Sequence, residues 1–140
     1  MSVLRSKGYK PNVTAELLEV GDQTLRYWRT HLDPSPHRRC FSADVVLAYQ
    51  IIKFLTRVRH VPVGVLEKCG CESVFKLCES NELADLSRLA IVIDEKHCDL
   101  KVVDSAFQPD NFDLYLHKLA LKPVVNEHLD ALSGFGHARH

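Results

Sequence analysis

Between Ser42 and Val58 the apolar residues Val45, Val46, Ala48, Tyr49, Ile52, Phe54, Leu55 and Val58 recur at three- and four-residue spacing. That period predicts the longest helix of the chain and makes it the spine of the core. Ser42 stands where a hydroxyl caps the free amides of a first turn. Everything around this helix is cut short. Asp33-Pro34-Ser35-Pro36 breaks the chain before it, because neither proline donates an amide and each biases its predecessor towards extended backbone. After it, Pro62 suits the first turn of a short helix that runs to Cys69 and stops at Gly70, and Ser73 to Glu79 reads as a further turn or two.

Upstream, Val13, Leu17 and Val20, with Leu18 beside them, form the stripe of a short amphipathic helix ended by Gly21. Asp22 is placed to cap a second helix, Gln23 to about Thr30. Leu25 and Trp28 share its inward face, with Trp28 as a core anchor, while Gln23, Arg26, Tyr27, Arg29 and Thr30 supply a basic and aromatic outer surface. Two short helices around a tight Gly-containing turn make a helix-turn-helix. His37-Arg38-Arg39-Cys40-Phe41 follows the prolines as a short extended segment with two adjacent arginines.

Character changes after Ser80. The β-branched run Leu89–Ile93, a polar turn Asp94–His97, and the alternation of Cys98, Leu100 and Val102 with Asp99 and Lys101 predict a β-hairpin over residues 88–104. Phe112, Leu114 and Leu116 fit a third strand, and Phe112, Leu116 and Leu119 fit a helix equally well. Pro123 opens a final helix with Val125, Leu129 and Leu132 on one face and Gly134 at its stop, and the His137–His140 tail reads as a frayed end. The expected fold is mainly α: a helix-turn-helix unit over residues 1–80, then a small α+β accessory or dimerisation element over 81–140.

With 46% hydrophobic and 26% charged residues in a chain of 140, disordered and low-complexity readings are excluded. No apolar run approaches the roughly 18–20 residues of a membrane span, and Met1–Lys7 lacks the apolar segment of a signal peptide, so the expected location is the cytoplasm. Five cysteines, an odd count, imply reduced thiols, most of them small buried apolar residues. Cys69-Gly70-Cys71 lacks the Cys-x-x-Cys spacing of a zinc element, and His97, His117, His128, His137 and His140 are scattered, so no metal is expected. A phosphate-cradling Gly-rich loop, H-E-x-x-H and G-x-S-x-G are all missing, which points to binding rather than catalysis and to no cofactor. The net charge of zero hides a polarity. Residues 1–60 carry ten Lys/Arg against five acids and residues 61–140 eight against thirteen, a pattern suited to a polyanion-binding half joined to a half with another task.

The strings Val13-Thr14-Ala15-Glu16-Leu17-Leu18, Thr24-Leu25-Arg26-Tyr27-Trp28-Arg29, Leu32-Asp33-Pro34 and Arg38-Arg39-Cys40-Phe41-Ser42-Ala43-Asp44-Val45 resemble, in order and spacing, the DNA-binding domain of the MerR family over residues 9–70. The resemblance implies a winged helix-turn-helix whose second helix enters the major groove while a wing grips phosphates. It also implies sequence-specific regulation of transcription on double-stranded DNA, in the cytoplasm at the nucleoid. On that reading Gln23, Thr24, Arg26, Tyr27, Arg29, His37, Arg38 and Arg39 contact DNA, with Gln23 and Thr24 equally suited to capping the helix. The implied partners are duplex DNA, a second copy in a homodimer, and RNA polymerase or another DNA-bound protein, with no membrane. Position 29 is Arg where the family carries an acid, and no heptad run follows residue 60, so two subunits must pair by a route other than the family's coiled coil. Two alternatives share the same core: a DNA-architectural role like that of phage excisionases, and a protein-interaction module derived from a helix-turn-helix.

Overall fold

The computed structural model describes residues 8–108 and 115–138, with side chains placed as far as Gly134. Among the described residues there are seven helices: α1 (Pro11–Leu18), α2 (Asp22–Leu32), α3 (Ala43–Arg57), α4 (Val63–Cys69), α5 (Glu72–Ser80), α6 (Leu83–Leu86) and α7 (Leu121–Ala138). Strands β1 (Leu89–Asp94), β2 (Asp99–Asp104) and β3 (Leu116–Ala120) form one antiparallel sheet in the order β2-β1-β3.

The spine forms as its period requires. Ser42 Oγ accepts from the Val45 amide at 3.3 Å, and every residue from Val45 to Ile52 is buried. α1 ends two residues earlier than the glycine suggests: Glu19 takes the left-handed conformation at φ 57°, and its amide and that of Val20 reach back to Glu16 and Ala15. Gly21 is instead the extended N-cap of α2, and Asp22 is its first residue, where a carboxylate still favours the helix dipole. A three-residue turn thus joins α1 to α2.

The hairpin falls at the expected positions, with Asp94 Oδ1 accepting from the amides of Lys96 and His97 at 3.0 and 3.2 Å. With no glycine in the turn, Cys98 takes a φ of 50°. Of the two periods open near residue 116, the strand holds, over Leu116–Ala120; Phe112 and Leu114 lie outside the described residues. Ile91 and Ile93 of β1, flanked by Val102 and Leu100 on β2 and by Leu119 and His117 on β3, face the helices. His117 is bonded to Glu95 in the hairpin turn.

β3 runs straight into α7, so that helix begins two residues before Pro123, and it continues through Gly134. Its buried face is therefore Leu121, Val124, Val125 and His128, and Leu129 is left 45% exposed, a correction to the face expected around Val125, Leu129 and Leu132. α7 returns to pack on α1 and α3. One continuous core accordingly includes Leu18, Trp28, Tyr49 and Phe75 from the first half and Ile91, Leu119 and Val124 from the second.

Candidate nucleic-acid interface

Leu25, Trp28 and Leu32 pin α2 to the core and fix which side faces outward. On the outer side Gln23, Arg26 and Thr30 are exposed, Tyr27 is 51% exposed and Thr24 is half-buried. The Tyr27 ring packs on His31 one turn later at 4.4 Å between centroids, and His31 Nδ1 lies 3.2 Å from a Glu67 carboxylate oxygen on α4. This holds the tyrosine up from the helix. Two shallow clefts border Arg26 and Arg29. One of about 250 Å³ is lined by Pro11, Asn12, Asp22 and Leu25 with the two arginines. The other, of about 360 Å³, is lined by Thr30, Pro36 and His37 with the same pair.

The loop between α2 and α3 differs from the expected extended wing. It curls over Asp33, whose side chain is fully buried and accepts four hydrogen bonds: from Arg38 Nε at 2.9 Å, Arg38 Nη2 at 2.6 Å, Tyr49 Oη at 2.6 Å and the Ser35 amide at 2.7 Å. A carboxylate so placed forces the chain after the prolines to turn back, with the Arg38 amide bonding to the Ser35 carbonyl. Extended pairing is confined to a single bridge in which Tyr9 and Phe41 exchange amide-to-carbonyl bonds of 2.8 Å in both directions. Gly8 allows that approach: its φ is 64°, and a Cβ there would meet the Phe41 carbonyl oxygen at 3.0 Å.

Two of the four arginines expected to meet DNA are therefore occupied within the fold. Arg38, only 18% exposed, is held by Asp33 and lies over the Phe75 ring at 5.6 Å. Its pKa is raised, first by the hydrogen bond to Asp33. The same buried site pushes the Tyr49 hydroxyl far above its usual range, through desolvation and then through its bond to Asp33. Arg29 donates from Nη2 to the Arg38 carbonyl at 2.8 Å and lies over Phe41 at 5.1 Å, with only its flank reaching the two clefts. Two adjacent arginines in a polar stretch read as solvent-facing charge, and the pattern alone does not reveal an acid folded beneath them. Arg26, His37 and Arg39 are exposed, as their expected role requires.

One cation escaped the sequence reading. Arg57, exposed at the end of α3, lies 6.0 Å from the centre of the Trp28 ring and so stands beside α2. Its signal was its place as the last basic residue of the spine helix, which the pattern assigns no direction.

The cysteines divide. Cys71 and Cys78 are buried and their thiols are pushed up to about 12 by desolvation, Cys69 is half-buried, and Cys40 and Cys98 are exposed, against the expectation that most would be buried. Among the described residues no group of three or more His, Cys, Asp or Glu side chains is arranged to hold a metal ion, and no helix is long and apolar enough to cross a membrane. Comparison of the chain with protein-family models, with curated proteins and with solved structures finds no match.

Proposed function

We propose that the chain binds double-stranded DNA through the outer face of α2 and acts as a sequence-specific, MerR-like transcriptional regulator at the nucleoid. The observation that carries this reading is the division of α2. Three apolar side chains lock it to the core, while Gln23, Arg26, Tyr27 and Thr30 project from the opposite side, and His37 of the following loop lines a cleft with Arg26 and Thr30. Side chains of these types at an exposed helix start present hydrogen-bonding groups to base edges in the major groove. Arg39, His37 and the Tyr27 hydroxyl are suited to phosphate oxygens, which fix register rather than sequence. Arg29 and Arg38 hold the loop that presents their neighbours. In a homodimer two such heads reach successive turns of the duplex, about 34 Å apart, and favour a palindromic site.

Selection of bound duplexes from a random pool, followed by titration of the winning site over a range of salt, tests the proposal. Affinity is expected to fall linearly with salt on a log–log plot. Arg39→Ala is expected to weaken all duplexes alike and reduce that slope by about 1. Arg26→Ala is expected to weaken the selected site about tenfold and to relax base preference. A chain that selects no duplex, or binds one without salt dependence, overturns the reading.

A further inference from the structure

The side of the sheet turned away from the helices carries a cleft. Ile91 and Ile93 face the core, so alternation along β1 sends Ala90, Val92 and Asp94 to the other side. Their partners follow: Val92 lies between Lys101 on β2 and Lys118 on β3, and Asp94 between Asp99 and Leu116. Ala90 and Val92 are buried, yet the continuous core includes neither. Their cover is local. Lys118 reaches from β3 past β1 to the far edge of the sheet, where Nζ donates to the carbonyls of Ser105 and Phe107 at 2.7 Å each. Those bonds, with the Phe107 amide donating to the Asp104 carbonyl at 3.0 Å, fix Phe107 as a wall although it is 46% exposed. The result is a cleft of about 250 Å³ with Val92, Val103, Phe107 and Leu116 along its apolar side and Asp94, Asp99 and Lys101 at its rim.

The charges of that rim are poorly matched to one another. Asp94 and Asp99 stand directly opposite across the ladder, and like charges so placed repel. Asp94 is engaged by its own turn, through the amides of Lys96 and His97 and the His97 ring at 2.6 Å. Asp99 has a looser partner: its Oδ2 lies 3.6 Å from Lys101 Nζ, beyond the roughly 2.7–2.9 Å of a charge-assisted hydrogen bond, and both side chains are open to solvent. A carboxylate and an ammonium thus stand side by side at the mouth of an apolar slot, each with bonding capacity to spare. We propose that this cleft binds a free α-amino acid with an apolar side chain. The ligand ammonium sits on Asp99, on the side facing Asp94, its carboxylate sits on Lys101, and its side chain lies against Val92, Val103, Phe107 and Leu116. The two ligand charges share one carbon, so they meet both protein charges at once, and the ammonium relieves the repulsion between the opposed carboxylates. Neither half of such a ligand does this alone. An apolar acid adds a third carboxylate beside Asp94 and Asp99, and an apolar amine sets a second ammonium beside Lys101 with no carboxylate to answer it. The cleft is smaller than the roughly 300–1,000 Å³ of pockets for drug-sized molecules, which suits a ligand the size of leucine or phenylalanine. It shares no residue with the α2 surface, so the site stands or falls apart from DNA binding.

Titration of the isotope-labelled chain with L-leucine and L-phenylalanine, followed by amide chemical shifts, tests the site. Saturable shifts are expected at Val92, Lys101, Val103 and Phe107, with a dissociation constant on the order of 1 mM for an open cleft and a ligand of about ten heavy atoms. 3-Methylbutylamine, which is leucine without its carboxylate, and 4-methylpentanoate, which is leucine without its ammonium, are each expected to bind about tenfold more weakly. Lys101→Met is expected to weaken leucine about tenfold and to abolish its advantage over the amine. Asp99→Asn is expected to abolish its advantage over the acid. Phe107→Ala removes a wall and no charge, and is expected to weaken all three ligands alike while leaving their order unchanged. The three side chains are open to solvent on the outer face of the sheet, and the spectrum itself reports whether each variant is folded. The proposal is overturned by the absence of saturable shifts at these amides well above that concentration, by equal responses to leucine and its two truncated analogues, or by folded charge variants that keep the preference for leucine.

Discussion

Replacing Asp33 with alanine is expected to cost the fold about 3–5 kcal/mol, the range for removing one partner of a buried ion pair. The carboxylate is fully buried, and three of the four bonds it accepts come from groups with little access to water: two from Arg38, which is 18% exposed, and one from the wholly buried Tyr49 hydroxyl. With the acid gone, the Arg38 guanidinium is left half-buried without its counter-charge and the Tyr49 hydroxyl without an acceptor, so each carries an uncompensated desolvation cost. Urea unfolding is expected to show a lower midpoint at an unchanged slope. The double variant Asp33→Ala with Arg38→Met is expected to recover part of the loss, because the orphaned charge leaves with its partner and Met fills the space against Phe75. The loop over Asp33 also carries His37 and Arg39, so under the DNA-binding function proposed above Asp33→Ala is expected to weaken duplex binding even at temperatures where the core is intact. A loss under about 1 kcal/mol would show that the four bonds merely balance the desolvation of the pair.

The same site shows where the sequence was readable and where it was not. The spine helix and its Ser42 cap were legible because a 3.6-residue period and an oxygen-bearing cap are local properties. So was the hairpin, where alternation and β-branching agree. The stop of α1 moved back by two residues and the cap of α2 by one because Glu19 tolerates the left-handed conformation that glycine was expected to supply. The roles of Arg29 and Arg38 were hidden because they depend on tertiary placement. Asp33 lies only five residues before Arg38, yet the spacing acquires meaning once Tyr49 on α3 is known to lie against the same carboxylate. Gln23, Arg26, Tyr27 and Thr30 were legible as an outer face because Leu25 and Trp28 fix the inner one. The face of α7 was misplaced for a nameable reason. Pro123 is a good helix opener, but the start was set by the sheet, since β3 delivers the chain at Leu121 already in register with β1. Counting from Leu121 instead of Pro123 brings Val124, Val125 and His128 onto the inner stripe and turns Leu129 outward.

That rotation puts a titratable ring into the core, and acid is expected to find it. His128 is 2% exposed, its Nδ1 has no hydrogen-bond partner among the described residues, and burial depresses its pKa from 6.5 to about 4. The imidazole is therefore neutral in the fold at neutral pH. Between pH 6.5 and about 4 the unfolded chain takes up a proton at this position that the folded chain refuses, so stability falls as pH drops through that window. The loss from this one group is about 3 kcal/mol in full, complete once pH passes below the folded pKa. Carboxylates begin to titrate at the lower end of the window, so the measurement is a difference: urea unfolding of the wild type and of His128→Leu at matched pH values. Leucine fills similar space without an ionisable nitrogen and is expected to unfold with much less acid sensitivity, the gap between the two curves widening steadily from pH 6.5 towards 4. α7 packs on α1 and α3, so acid weakens the anchorage of α7 against both helices. Parallel pH profiles for the two proteins would mean that the ring finds water or a partner on protonation, and would place the acid sensitivity of this fold elsewhere.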